Sequence, residues 1–164
     1  MNFSFATDSP FNTVLMSPEG RIAYRIDTPS YLPVAITTVK KAVSSSSPQG
    51  DVEVGRVIWQ TGRAALIIHG REVTIHRSIF GSSRTFTAAN EQSYKWSFHE
   101  GSSLLASNDS RQAPAATFTP SNKLNPGLLH LTPHGLTFLD ETILTFVYVE
   151  GERRNAQRKK SLGG

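Results

Sequence analysis

Residues 139–160, LDETILTFVYVEGERRNAQRKK, change character halfway and constrain the fold more than any other stretch. The run ILTFVYV (143–149) is dense in apolar and β-branched side chains, whereas the residues after it are polar and basic. A run of seven residues is far short of the roughly 20 apolar ones that a helix needs to cross a bilayer, so it is not a membrane anchor. A strand and a helix remain. The β-branched residues Ile143, Thr145, Val147 and Val149 favour a strand. The flanks favour a helix, with Asp140 as an N-cap, Glu141 adding negative charge in the first turn, and Arg153, Arg154, Arg158, Lys159 and Lys160 crowding the last turns. A helix here is apolar on every side along its first half and therefore needs burial all round. Gly151 lies inside it, where an interior glycine costs about 1 kcal/mol relative to alanine, so a bend or fraying is expected there.

The rest of the chain reads as β-structure. Short alternating runs at 12–17, 21–27, 34–43, 51–61, 63–69, 71–77, 83–88, 92–98 and 115–119 are separated by turn residues, with weaker candidates at 103–106 and 128–132. RIAYRID (21–27) sets Ile22, Tyr24 and Ile26 on one face, and SYKWSF (93–98) does the same with Tyr94, Trp96 and Phe98. The runs at 34–43 and 51–61, joined by a serine-rich loop, read as a hairpin. No helical periodicity shows before residue 139. A sheet of so many strands curls, closes or splits into layers, and a barrel interior is the environment that an all-apolar helix requires. The expected core holds Trp59, Phe86, Tyr94, Trp96, Ile143, Phe146 and Val147.

RTFTAANEQSYKWSF (84–98), followed about 40 residues later by LDETILTFVYVEGERR (139–154), resembles an uncharacterised fungal family, the domain of unknown function 6593. SPFNTVLMSPEGRIAYRIDTP (9–29) and GDVEVGRVIWQ (50–60) fit the same pattern, so the resemblance covers nearly the whole chain. That family in turn resembles the tubby C-terminal-like superfamily, with the LURP-one-related proteins and the phospholipid scramblases. The resemblance implies a mainly β fold: a closed or nearly closed antiparallel β-barrel of about 10–12 strands around a hydrophobic C-terminal helix. It divides the chain into an N-terminal arm (1–8), one barrel domain (9–158) with its central helix at about 140–158, and a disordered tail (159–164).

Chemistry is sparse in this sequence. With no cysteine among 164 residues, disulfides and thiolate sites are excluded, which suits a reducing compartment. The N-terminus lacks the basic and continuous apolar regions of a secretory signal, so a cytoplasmic protein is expected, to which the resemblance adds peripheral attachment to a membrane. His130 and His134 are separated by Pro133, which breaks a helical metal pair, and His99–Glu100 lacks a second histidine. No nucleophile elbow or P-loop occurs. FGSSRTF (80–86) carries a glycine and serines beside an arginine but reads as a connection between strands. These features predict a protein with no catalytic residues, no metal and no cofactor.

Of a net charge of +4, three charges fall in residues 150–164. A solvated end is the plain reading of that basic segment, and an anionic surface is the functional one. Nucleic acid is disfavoured, because Tyr94 and Trp96 fall on the strand face opposite Lys95 and form no stacking platform. Tubby-like and scramblase-like relatives imply recognition of anionic phospholipid or phosphoinositide, with Arg153, Arg154, Arg158, Lys159 and Lys160 as the candidate contacts. The rival reading is a protein-interaction scaffold whose charges are merely solvated.

Overall fold

A computed structural model describes residues 1–30 and 34–163. Among the described residues the chain folds into thirteen antiparallel strands followed by two helices. The strands are β1 (Asn2–Phe5), β2 (Thr13–Met16), β3 (Ile22–Asp27), β4 (Ala35–Lys41), β5 (Val52–Gln60), β6 (Arg63–Ile68), β7 (Arg71–Val73), β8 (His76–Arg77), β9 (Arg84–Thr87), β10 (Ser93–His99), β11 (Ser102–Ser107), β12 (Pro114–Thr119) and β13 (Leu128–Leu131). A single helical turn, α1 (Pro133–Leu136), leads into the long helix α2 (Leu139–Leu162). They form one sheet in the order β7-β6-β5-β4-β3-β2-β1-β13-β12-β11-β10-β9-β8. The chain thus lays down two antiparallel halves that meet where β1 pairs with β13, Phe3 opposite Leu129.

Of the closed or nearly closed barrel that the resemblance implies, the structure gives a mainly β fold with one antiparallel sheet and a C-terminal helix. The hydrogen-bonded sheet is not closed. Its edges are β7 and β8, of three and two residues. Both belong to REVTIHR (71–77), read from the sequence as one strand. Registers Ile68↔Arg71 and Leu66↔Val73 against β6, and His76↔Thr85 and Arg77↔Arg84 against β9, show the run crossing from one edge of the sheet to the other. Thr74 and Ile75 join neither ladder. With at most about 3.6 Å of reach per residue, three steps from Val73 to His76 hold the two edges within about 11 Å. The sheet is therefore wrapped, and its seam is spanned by chain instead of by hydrogen bonds.

The N-terminal arm expected for residues 1–8 is also corrected. Asn2–Phe5 is an interior strand, with Phe3 and Phe5 buried and the Met1 ammonium donating to the Leu131 carbonyl at 2.7 Å. The period-two alternation of NFSF carries that signal. The weak candidates at 103–106 and 128–132 are full strands, because Leu105, Leu129 and Leu131 face the core while Leu104 and His130 between them face out. α1 is a helical turn that the sequence reading missed. Thr132 caps it by accepting from the Gly135 N–H at 3.1 Å, with Pro133 opening the helix.

Helix α2 occupies the interior. Every residue from Glu141 to Gly151 is buried, with contacts from strands on all sides. Phe146 meets Phe5 on β1, Trp96 on β10 and Phe118 on β12, with ring centroids 4.6–5.9 Å apart. Leu144 presses on Gly55 of β5, where a Cβ would sit 2.6 Å from its Cδ1. Thr145 accepts from the Trp96 indole N–H at 3.0 Å, satisfying a buried donor. Ile143, Leu144, Phe146 and Val147 are at most 1 % exposed, and each contributes about 1.5–3 kcal/mol by leaving water. Of the expected core, only Trp59 is not fully enclosed; it stands at the end of the interior with its indole N–H on Thr37 Oγ1 at 2.8 Å.

The helix runs through to Leu162, so residues 159–162 are helical where a disordered tail was expected; residue 164 lies outside the described residues. Fraying at Gly151 is likewise not seen. A Cβ on that residue would stand 2.5 Å from Trp59 Cη2 and 3.1 Å from Phe11 Cε1, so the missing side chain admits the indole. Gly151→Ala is therefore expected to destabilise by about 1–3 kcal/mol through overpacking, reversing the usual gain of alanine in a helix. Urea denaturation checks this, and Trp59→Leu in the same chain should recover part of the loss. Deleting residues 139–164 is expected to abolish cooperative thermal unfolding, whereas deleting 156–164 should leave it near the wild-type midpoint.

Candidate anion-binding groove

The two ends of α2 meet different surroundings. At its N-terminal end, Phe138 occupies the cap position with no side-chain cap bond, which corrects the N-cap expected of Asp140. Asp140 instead ties the helix to the sheet. It accepts from Tyr24 Oη at 2.5 Å, lies 3.1 Å from His69 Nε2, and pairs with Lys41 at 3.6 Å. Burial, and then the bond to Asp140, push the Tyr24 hydroxyl well above the usual tyrosine range. Glu141 turns inward and accepts from the Ala89 N–H at 3.0 Å. Nearby, Tyr94 Oη donates to Gln92 and lies 3.2 Å from His134 Nε2. His130, on β13, contacts Asn2 instead. Each of these groups has a structural partner.

At the other end, α2 emerges between the β5–β6 turn and the β8–β9 loop, and the space left there is a groove of about 580 Å³. Arg63, Arg77, Arg84, Arg153, Lys159 and Lys160 line it, with Glu152 the one carboxylate among the lining residues. Glu152 Oε1 accepts from Arg84 Nε at 3.1 Å, and its Oε2 lies 3.5 Å from Arg77. This bridge fastens the edge hairpin β8–β9 to the helix and leaves the cations in excess. Arg63 reaches Glu72 at 3.6 Å with 76 % of its side chain exposed. Neither Lys159 nor Lys160 has an ion-pair partner among the described residues.

The five cations singled out from the sequence are divided by the helical period. Arg153, Lys159 and Lys160 share the groove face with Val149, Glu152 and Ala156. Arg154 points elsewhere, bonding Glu150 at 2.9 Å and the Asp8 carboxylate at 3.0 Å, and Arg158 borders a separate pocket beside Trp59. The Arg154 hydrogen bond holds the Asp8 carboxyl below its ordinary range. Arg153 is also anchored, to the buried Glu150. Sequence reasoning missed Arg63, Arg77 and Arg84, which lie about 70–100 positions away and join the site only because the sheet wraps. FGSSRTF (80–86), set aside as a connection, forms one wall through Ser82 and Arg84.

Among the described residues no group of three His, Asp or Glu side chains could hold a metal ion, and no helix is long and apolar enough to cross a membrane.

The family of unknown function DUF6593 matches residues 8–155, which is most of the chain. The chain belongs to the DUF6593 family. No curated protein and no solved structure matches it. The groove of this DUF6593 domain lies partly beyond the matched span, since Lys159 and Lys160 follow residue 155.

The buried end of α2 generates a pH dependence. Burial raises the Glu141 carboxyl above its ordinary value of 4.5, outweighing the Ala89 N–H bond and the charges of Arg71 and His69 that lower it; Asp140 adds to the rise. The folded protein thus holds this proton more tightly than the unfolded chain, so the group's contribution is fully present below the unfolded value and is lost as pH rises through the folded one. The stability of the wild type relative to Glu141→Gln is expected to fall between pH 4.5 and neutrality, as measured by urea denaturation at a series of pH values.

Proposed function

We propose that this protein is a non-catalytic module that binds anionic phospholipid at a membrane surface through the basic end of α2. The observation that carries the reading is the groove in which six cations face one carboxylate. Phosphate oxygens are strong acceptors, and guanidinium groups meet them with two parallel N–H donors, so such a lining suits a headgroup better than a neutral ligand. The cations come from the β5–β6 turn, the β8–β9 hairpin and the helix, which places them at one end of the molecule, where a flat anionic surface reaches them together.

Two further considerations support it. The resemblance of the chain to tubby-like and scramblase-like proteins implies phospholipid recognition as a class, and a β-sheet wrapped about a C-terminal helix is the arrangement expected of that superfamily. Charge is also segregated along the molecule: Arg153 and Arg154 are committed to Glu150, while Lys159 and Lys160 project beyond the sheet. A cation near an anionic leaflet contributes about 1 kcal/mol, so three or four give attachment that is weak and sensitive to salt. The protein is thereby read as cytoplasmic and peripheral to the membrane.

Co-sedimentation with vesicles tests the reading. The wild type is expected to bind vesicles containing phosphatidylserine or phosphoinositide, to ignore pure phosphatidylcholine, and to be released by high salt. Neutralising Arg63, Lys159 and Lys160 together should remove about 3 kcal/mol and weaken binding about a hundredfold. Failure to bind anionic vesicles at low salt would sink the proposal and favour a protein-interaction scaffold.

A further inference from the structure

The loop between β8 and β9 holds Phe80, at 96 % the most exposed large apolar side chain among the described residues, and beside it Ile79 at 90 %. Scattered exposed apolar residues are ordinary on a soluble protein, but an adjacent aromatic–aliphatic pair at a loop tip leaves nearly all of its apolar area in water. The position of the pair is informative. Arg77 and Arg84 flank the loop in sequence, and Ser82 within it lines the basic groove opposite Lys159 and Lys160.

The other large apolar side chains above four-fifths exposure among the described residues are Leu124 at 90 % and Leu162 at 82 %. Leu162 ends α2. Leu124 lies in the β12–β13 connection, whose Gly127 rests against Phe5 and Phe118 beside the pocket formed with Glu150 and Arg154. Among the described residues, every large apolar side chain more than four-fifths exposed therefore lies at the end from which α2 emerges. Met1, Val43 and Val52, the remaining described ones above 45 %, belong to the opposite end, as the strand registers place them.

We infer that Ile79 and Phe80 insert into the interfacial layer of an anionic bilayer while the neighbouring cations hold the headgroups, so that the molecule docks with the C-terminal end of α2 toward the membrane. This rests on the phospholipid-binding reading and adds to it the apolar anchor and the orientation. A bilayer suits these residues better than a protein partner. A specific protein interface needs on the order of 1,000 Å² of buried surface, which two residues on a narrow, arginine-flanked loop do not supply. A membrane interface takes up apolar groups one at a time to a depth of about 5–10 Å and rewards the adjacent positive charge.

The absence of native cysteine makes the test direct. An environment-sensitive NBD fluorophore on Ile79→Cys reports on the loop, and the same label on Ser110→Cys, in a loop at the opposite end, serves as control. On adding phosphatidylserine vesicles, the label at 79 is expected to brighten and shift to the blue while that at 110 does not change. The unlabelled double variant Ile79→Ser/Phe80→Ser should sediment with these vesicles at least tenfold more weakly, with an unchanged thermal midpoint because neither side chain touches the core. If the wild type sediments but the label at 79 does not respond and the serine variant binds equally well, insertion is overturned and electrostatic attachment stands. If the wild type does not sediment at all, both fall.

Discussion

The burial of α2 on every side governs the rest of this structure. From Glu141 to Gly151 no face of the helix is left to solvent, so no single layer of sheet could satisfy it. A sheet covering one face would leave half of Ile143, Leu144, Phe146 and Val147 in water, at about 1 kcal/mol or more for each. The sheet must therefore go round. Thirteen strands do so, and the largest side chains of the helix reach aromatic rings from β1, β5, β10 and β12.

This demand also explains the seam. Close approach of the sheet to the helix is paid for in side-chain volume, with Gly55 lying under Leu144 and Gly151 under Trp59. Where the two edges meet, the chain runs from β7 to β8 as one extended segment that changes ladder partners at Thr74 and Ile75. That leaves a short gap in the hydrogen bonding but no free end of sheet long enough to recruit another chain, because both edge strands are very short. The Glu152 bridge to Arg77 and Arg84 then fixes the edge hairpin to the emerging helix. The groove is a by-product of this arrangement: the helix is longer than the interior, and its last turns leave between loops that themselves carry arginine.

The two ends of the molecule differ in a way that bears on function. At the start of α2, charged and polar groups are matched with structural partners, Asp140 with Tyr24 and Lys41, and Glu141 with Ala89. At its exit, cations outnumber carboxylates and apolar side chains stand in water. A protein that served only to be stable would have little use for that second pattern. Its cost to the fold is low, because the exposed residues lie on loops and on the last turns of a helix whose buried half already secures it.

The sequence by itself determined the periodicities. Alternation in RIAYRID and SYKWSF placed Tyr24, Tyr94 and Trp96 inward, and an all-apolar run bounded by acid and base marked a buried helix, because these patterns depend on side-chain direction along a single element. The alternation of NFSF is equally legible. Tertiary structure alone decided the rest. Whether REVTIHR is one strand or a crossing of the seam depends on which ladders lie on each side of it, and sequence patterns carry no such information. Gly151 appears as a helix defect in one dimension and as the seat of an indole in three. Arg154 and Lys159 look alike in the basic tail, yet a helical turn sends one to Asp8 and the other to the groove. Arg63, Arg77 and Arg84 become neighbours of that tail only once the sheet has wrapped, since a site assembled from distant strands leaves no local spacing to be read.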